Sequence, residues 1–167
     1  MQNHFDLFQL PQQFALDQGQ LDAAYREVQN QVHPDKFVQA SEAEKRVAMQ
    51  WATRANEAYQ TLKKPLKRAR YLCELQGVDL QTESNTSMPG AFLMQQMEWR
   101  EAFDEARQDN NEATLLRLER ELNSALRTQL HAVGDSIDLG KFEEAALQIR
   151  TCMFLEKFIA DIAALEE

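Results

Sequence analysis

Val32-His33-Pro34-Asp35-Lys36 interrupts a long run of helix-forming sequence about a fifth of the way into a chain of 167 residues. Upstream, Leu21, Ala24, Tyr25, Val28 and Val32 recur at helical spacing, and downstream Val47, Trp51, Ala55, Ala58, Tyr59 and Leu62 do the same. The pentapeptide is therefore read as a corner between two helices. Proline disfavours helical geometry in the residue before it, so the first helix is expected to stop near His33 and to leave the Asp35 carboxylate on an exposed turn.

Working outward, Asp17 is placed to cap a first helix over about residues 18 to 32. Ser41-Glu42-Ala43-Glu44 has the pattern of a capping box and starts a second helix over about 41 to 62. A connection of roughly eight residues makes the two antiparallel, with Tyr25, Val28, Trp51, Ala55 and Tyr59 expected in their shared core. Before them, Phe5 to Leu10 gathers apolar side chains into a short helix or turn that Pro11 ends. After them, Pro65 can open a further helix whose face is Leu66, Ala69, Leu72, Cys73 and Leu75, with Gly77 as its cap. Lys63, Lys64, Lys67, Arg68 and Arg70 are read as a solvated basic face. No aromatic side chains interleave with them as a nucleic-acid surface requires.

Only four prolines and five glycines break the chain, which makes an all-α protein the expectation. From Val78 to Pro89 the sequence turns polar and reads as a linker. Three helical segments follow, over about 88 to 108, 112 to 136 and 141 to 165, parted by Asp109-Asn110-Asn111 and Asp138-Leu139-Gly140. Leu115, Leu118, Leu122, Leu126, Val133 and Ile137 form one stripe on the middle segment, and a three-helix bundle is predicted. The expected organisation is a domain over 1–75, a linker over 76–89 and a bundle over 90–167.

Charge divides the same way. Residues 1–77 hold 10 Lys or Arg against 9 Asp or Glu, whereas 78–167 hold 8 against 18, so the second half should repel nucleic acid. Cys73 and Cys152 sit in apolar patterns and read as buried thiols of a reducing compartment. No apolar run approaches the ~20 residues a membrane helix needs, and no leader pattern opens the chain, so a cytoplasmic protein is expected.

Residues 1 to about 75 resemble the J-domain family. The likeness rests on the Phe5 to Leu10 start, on His33-Pro34-Asp35-Lys36 between two amphipathic helices, and on Asn56-Glu57-Ala58-Tyr59-Gln60-Thr61-Leu62. Pro65-Leu66-Lys67-Arg68-Ala69-Arg70-Tyr71-Leu72 and Phe92-Leu93-Met94-Gln95-Gln96-Met97-Glu98 extend it over nearly the whole chain, to the HscB family of iron-sulfur cluster co-chaperones. The resemblance implies two partners, a DnaK-type chaperone ATPase (HscA-like) and an iron-sulfur cluster scaffold protein (IscU-like). It implies no chemistry, cofactor or metal of the chain's own. Asp35 can pair with an arginine of the ATPase, Pro34 fixes the turn, and His33 offers a polar, partly aromatic contact, with Lys36 and Arg26 beside them. Such binding accelerates hydrolysis by favouring the ATPase conformation competent for it. One departure is plain. J-domains usually carry a basic face on the helix before the loop, but here that face reads Asp22, Arg26, Glu27, Gln29, Asn30 and Gln31, so steering by charge from this helix is expected to be weak, with Lys36, Lys45 and Arg46 placed to compensate.

The segment beginning near Met88 holds more apolar residues than one buried stripe needs. At 100° per residue from Phe92, Trp99, Ala102, Phe103 and Ala106 fall within about 80° of it, whereas Leu93, Met97 and Met94 fall at about 100°, 140° and 200°. Arg100, Glu101 and Asp104 put charges beside that second patch. On the residues alone it is a binding surface of flexible side chains, part of a wide buried arc, or a face on which the first domain packs. The resemblance selects the first, because positions matching Leu93, Met94 and Met97, with Glu98, Arg100 and Glu101 around them and an aromatic matching Phe154, contact the scaffold in that family. The absence of a Gly/Phe-rich tract fits a dedicated client, and a general J-domain adaptor serving another client is the alternative.

Two other classes fit less well. A metal or acid-base enzyme would have to use His33 and Asp35 with a distant His4 or His131, and no metal-ligand spacing joins them. A continuous coiled coil is broken at Pro65, Gly77 and Pro89. A monomer is expected.

Overall fold

The long helices that follow Asp17, Ser41 and Asn111 each begin at a side-chain cap that the sequence supplies. The computed structural model describes residues 2–80 and 90–165, and among these every regular element is helical. In order they are α1 (His4–Leu7), α2 (Gln18–Gln31), a 3₁₀ turn (Pro34–Phe37), α3 (Glu42–Lys63), α4 (Pro65–Leu75), α5 (Gly90–Gln108), α6 (Glu112–Asp138) and α7 (Phe142–Ala164). The chain forms two units, Met1–Leu72 and Cys73–Glu167. Most of the stretch read as a linker, with Met88 and Pro89 at the expected start of the next helix, lies outside the described residues.

In the first unit the caps work as their chemistry requires. The Asp17 carboxylate accepts the Gln20 N–H, and the Ser41 hydroxyl accepts the Glu44 N–H at 3.1 Å. Glu44 accepts the Ser41 hydroxyl proton at 3.0 Å. α2 and α3 pack as the expected antiparallel hairpin, with α1 laid against α3. The core differs from the expected one by a turn of the helix face. Ala48, Ala55, Ala58 and Leu62 of α3 are buried with Leu21, Phe5 and Phe8, whereas Val47 is half exposed. Of the five side chains expected there only Ala55 is fully buried; Tyr25, Val28, Trp51 and Tyr59 line the edge. The reason is contact distance: alanines let the helices approach, and the wide rings are displaced to the seam. There Tyr25 and Tyr59 stack at 4.3 Å and their hydroxyls donate to Asn56 and Asp22.

Arg68 departs from the solvated basic face. It is buried, its Nε donates to the Phe14 carbonyl and its Nη1 to the Leu62 carbonyl, both at 2.7 Å, and its guanidinium lies over the Phe14 ring. Spacing along one helix cannot reveal this, because both acceptors are backbone groups.

In the second unit α6 and α7 run side by side as antiparallel neighbours, and α5 packs on them through Trp99 and Phe103. These join Leu118, Leu122, Leu155, Phe158 and Ile162 in one core. Lys141 N–H bonds to Ser136 O and Gly140 N–H to Ile137 O, closing α6 at Gly140, whose φ of 75° side chains rarely tolerate. α7 buries a wide arc that takes in Ala145, Ala146, Ile149, Cys152, Leu155, Phe158 and Ile162, and Arg150 is buried with its Nη1 on the Leu80 carbonyl.

Candidate partner-binding sites

The corner in the first unit is held by local bonds and by contacts of its turn with α3. His33 has the extended backbone (φ −60°, ψ 135°) that a following proline imposes. Its Nδ1 accepts the Asp35 N–H at 3.2 Å and its carbonyl accepts the Lys36 N–H, so His33 caps the 3₁₀ turn that Pro34 opens. With that lone pair used, Nδ1 has no proton to give the Asp35 carboxylate 3.6 Å away. Among the described residues no lysine or arginine pairs with Asp35, whose side chain is 89% exposed. The turn thus presents one carboxylate to solvent. It can accept a guanidinium from another protein without first breaking a strong internal pair.

His33, Pro34, Asp35 and Lys36 are thereby brought together, all exposed, and Arg26 is exposed on α2. The α2 surface has the weak charge expected. Asp22 is taken up by hydrogen bonds from Tyr59 and Gln18, which hold its carboxyl below the ordinary carboxylate range, with Arg26 and Lys63 adding to the effect. The same bond holds the Tyr59 hydroxyl above its usual range. Behind the turn, Val38 and Met49 stand exposed beside an apolar groove. Neither lies on the stripe that located the helices, and their being apolar off that stripe was the available signal.

The second surface lies between α5 and α7. Leu93, Met94 and Met97 are 45%, 68% and 72% exposed, whereas Trp99, Phe103 and Ala106 of the same helix are buried. Met97, Arg100, Glu101 and Phe154, together with Gln96 and Asp104, line a shallow groove. Phe154 stands edge-on to Phe92 at 5.7 Å and tilted against Phe158 at 5.9 Å, so its neighbours hold it half-buried. The Arg100 guanidinium lies 4.5 Å from the centre of the Phe158 ring. That anchors its charge at the groove edge rather than in free solvent. Leu93 precedes Met97 by one turn on the same side of α5; Met94 and Glu98 are exposed but stand outside the groove.

Neither surface assembles reactive groups. His4 is stacked on Tyr71, His131 lies 3.7 Å from Asp135, and His33 caps its turn. Among the described residues no cluster of three His, Cys, Asp or Glu could hold a metal ion, and no helix is long and apolar enough to cross a membrane.

Known proteins resemble the chain over both units. A family model described as the DnaJ domain matches residues 3–71, and one described as the HSCB C-terminal oligomerisation domain matches 88–163. A co-chaperone protein HscB homolog of Burkholderia multivorans is 54% identical over 162 residues, which cover 97% of this chain and 93% of the relative. The structure of chaperone HscB from Vibrio cholerae superposes with a TM-score of 0.91 at 38% identity, covering 98% of both chains. Human co-chaperone HscB superposes with a TM-score of 0.90 at 28% identity, over 98% of this chain and 82% of that one.

Proposed function

We propose, from the premise that this chain belongs to the HscB family of J-domain co-chaperones, that it brings an iron-sulfur cluster scaffold protein (IscU-like) to a DnaK-type chaperone (HscA-like) and stimulates that chaperone's ATPase. The family is one of co-chaperones and not of enzymes, and the part assigned to this chain is recognition at two ends. In this reading residues 1–75 face the ATPase, 76–89 link, and 90–167 hold the client, in a single cytoplasmic chain without metal or cofactor.

The observation that carries the reading is the Asp35 carboxylate, exposed and without a lysine or arginine partner on a turn held by His33 and Pro34. An arginine of the ATPase that meets it gains a charge-assisted bond only in conformations that present that arginine. Asp35 therefore selects those conformations, and hydrolysis speeds up if they are the competent ones. Lys36 and Arg26 add weak attraction to an acidic partner. At the other end, Leu93, Met94 and Met97 offer flexible apolar contacts, Phe154 a rigid one, and Glu98, Arg100 and Glu101 a charged border that fixes orientation.

The test is a single-turnover ATPase assay of the DnaK-type chaperone with this protein, with and without the scaffold. Acceleration by the protein alone, increased further by scaffold, is expected. Acceleration that scaffold does not change would move the client role to another protein, and no acceleration would refute the reading of the turn.

A further inference from the structure

We propose that the groove behind the His33-Pro34-Asp35 turn takes an aliphatic side chain of the chaperone ATPase, so that apolar burial, rather than charge, sets the affinity of this end of the molecule. The inference rests on the first unit facing that ATPase, and it adds a second contact with a separate role.

The groove has a volume of about 530 Å³ and is lined by Pro34, Phe37, Val38, Ala48, Met49 and Ala52 among others. Val38 is 69% exposed and Met49 70% exposed, although Ala48 between the two helices is buried. Small side chains at 48 and 52 leave a depression, and the larger Val38 and Met49 stand beside it. Pro34 belongs both to the turn and to the groove wall, so a protein that reaches Asp35 is within one side chain of the groove. What enters must be apolar. A carboxylate or guanidinium would lose its water against Val38, Phe37 and Met49, and Lys45, among the described residues the one charged member of the lining, lies 3.6 Å from Glu42. Met49 can adjust to the shape of an aliphatic chain.

Charge supplies little in its place. Arg26 is the one cation among the exposed positions of α2 named above, where Glu27 stands next to it and Asp22 is bound to Tyr59. Electrostatic attraction through the α2 face is correspondingly small, which leaves Lys36, Lys45 and Arg46 near the turn as the cations and makes exposed apolar area a further source of affinity.

Titrating the protein into the chaperone's single-turnover ATPase assay separates the two contacts. Ala52→Trp, which fills the groove from an exposed position, is expected to raise the concentration for half-maximal stimulation about tenfold while leaving the plateau unchanged. Met49→Glu should do the same if the tryptophan lowers the melting temperature. Asp35→Asn should instead remove the plateau. Moving from about 50 to about 500 mM salt should change the wild-type half-maximal concentration less than about threefold. Wild-type concentrations for both folded groove variants, or a salt effect of about tenfold or more, would overturn the groove while leaving Asp35's role intact. A wild-type protein that fails to stimulate would overturn the reading of the turn and this inference together.

Discussion

Asp35 and Arg68 are charged residues of one unit in opposite settings, and their substitutions should separate function from stability. Asp35 is exposed and makes no pair that the fold depends on. Asp35→Asn is expected to change unfolding free energy by less than about 0.5 kcal/mol and to leave scaffold binding intact while abolishing ATPase stimulation. Calorimetry, a binding isotherm and the ATPase assay check the three parts. Arg68 ties the Phe14 and Leu62 carbonyls from inside the unit. Arg68→Ala strands both acceptors and removes packing over Phe14, so a loss of about 2–4 kcal/mol is expected in denaturant unfolding. The motif made Asp35 legible in the sequence. Arg68 was hidden in a run of basic residues, because nothing in a helical wheel marks which of them finds buried carbonyls.

At the scale of the element, α5 divides its apolar residues between two uses. Leu93→Ala combined with Met97→Ala is expected to lower stability by less than about 1 kcal/mol, since both are substantially exposed, and to weaken scaffold binding about tenfold. Phe103→Ala, in the core with Phe158 and Leu155, should cost about 3–5 kcal/mol. A large fall in melting temperature for the first variant would show that those side chains are packed. Helix ends were similarly legible. Val78 N–H bonds to Cys73 O and Gly77 N–H to Glu74 O, with Gly77 at φ 77°, closing α4 where its glycine predicted. Gly77→Ala forces a side chain into that left-handed conformation and should cost about 1 kcal/mol even though the added methyl meets nothing within 4 Å.

For the whole molecule, stability should depend on pH partly through the N-terminus. The His4 ring stacks on Tyr71, and the His4 backbone N–H donates to the Tyr71 hydroxyl oxygen. Burial lowers its pKa, with Glu57 raising it and Arg54 lowering it. The unfolded chain then takes up a proton at higher pH than the folded one. The stabilisation is complete above about pH 6.5, the ordinary histidine value, and is lost as pH falls below it towards the lowered folded value. Melting temperature should therefore decline less steeply from neutral to mildly acidic pH in His4→Phe than in the wild type. Cys73 and Cys152 should resist alkylation until the protein unfolds. Burial is the main cause pushing their thiols up, to about 11 and about 12, with nearby carboxylates adding to it.

Apolar period, caps and turn residues determine an all-α chain, the corner at His33-Pro34-Asp35, and two apolar directions on α5. They do so because helix periodicity and capping are local properties that neighbouring residues specify. Tertiary structure alone decided which alanines of α3 would form the core, that Tyr25 and Tyr59 would stack along the seam, and that Arg68 and Arg150 would be buried on backbone carbonyls. It also opened the groove between Val38 and Met49. Each of these depends on how closely two helices approach and on which carbonyls lie across the gap, and those distances exist only once the elements are packed.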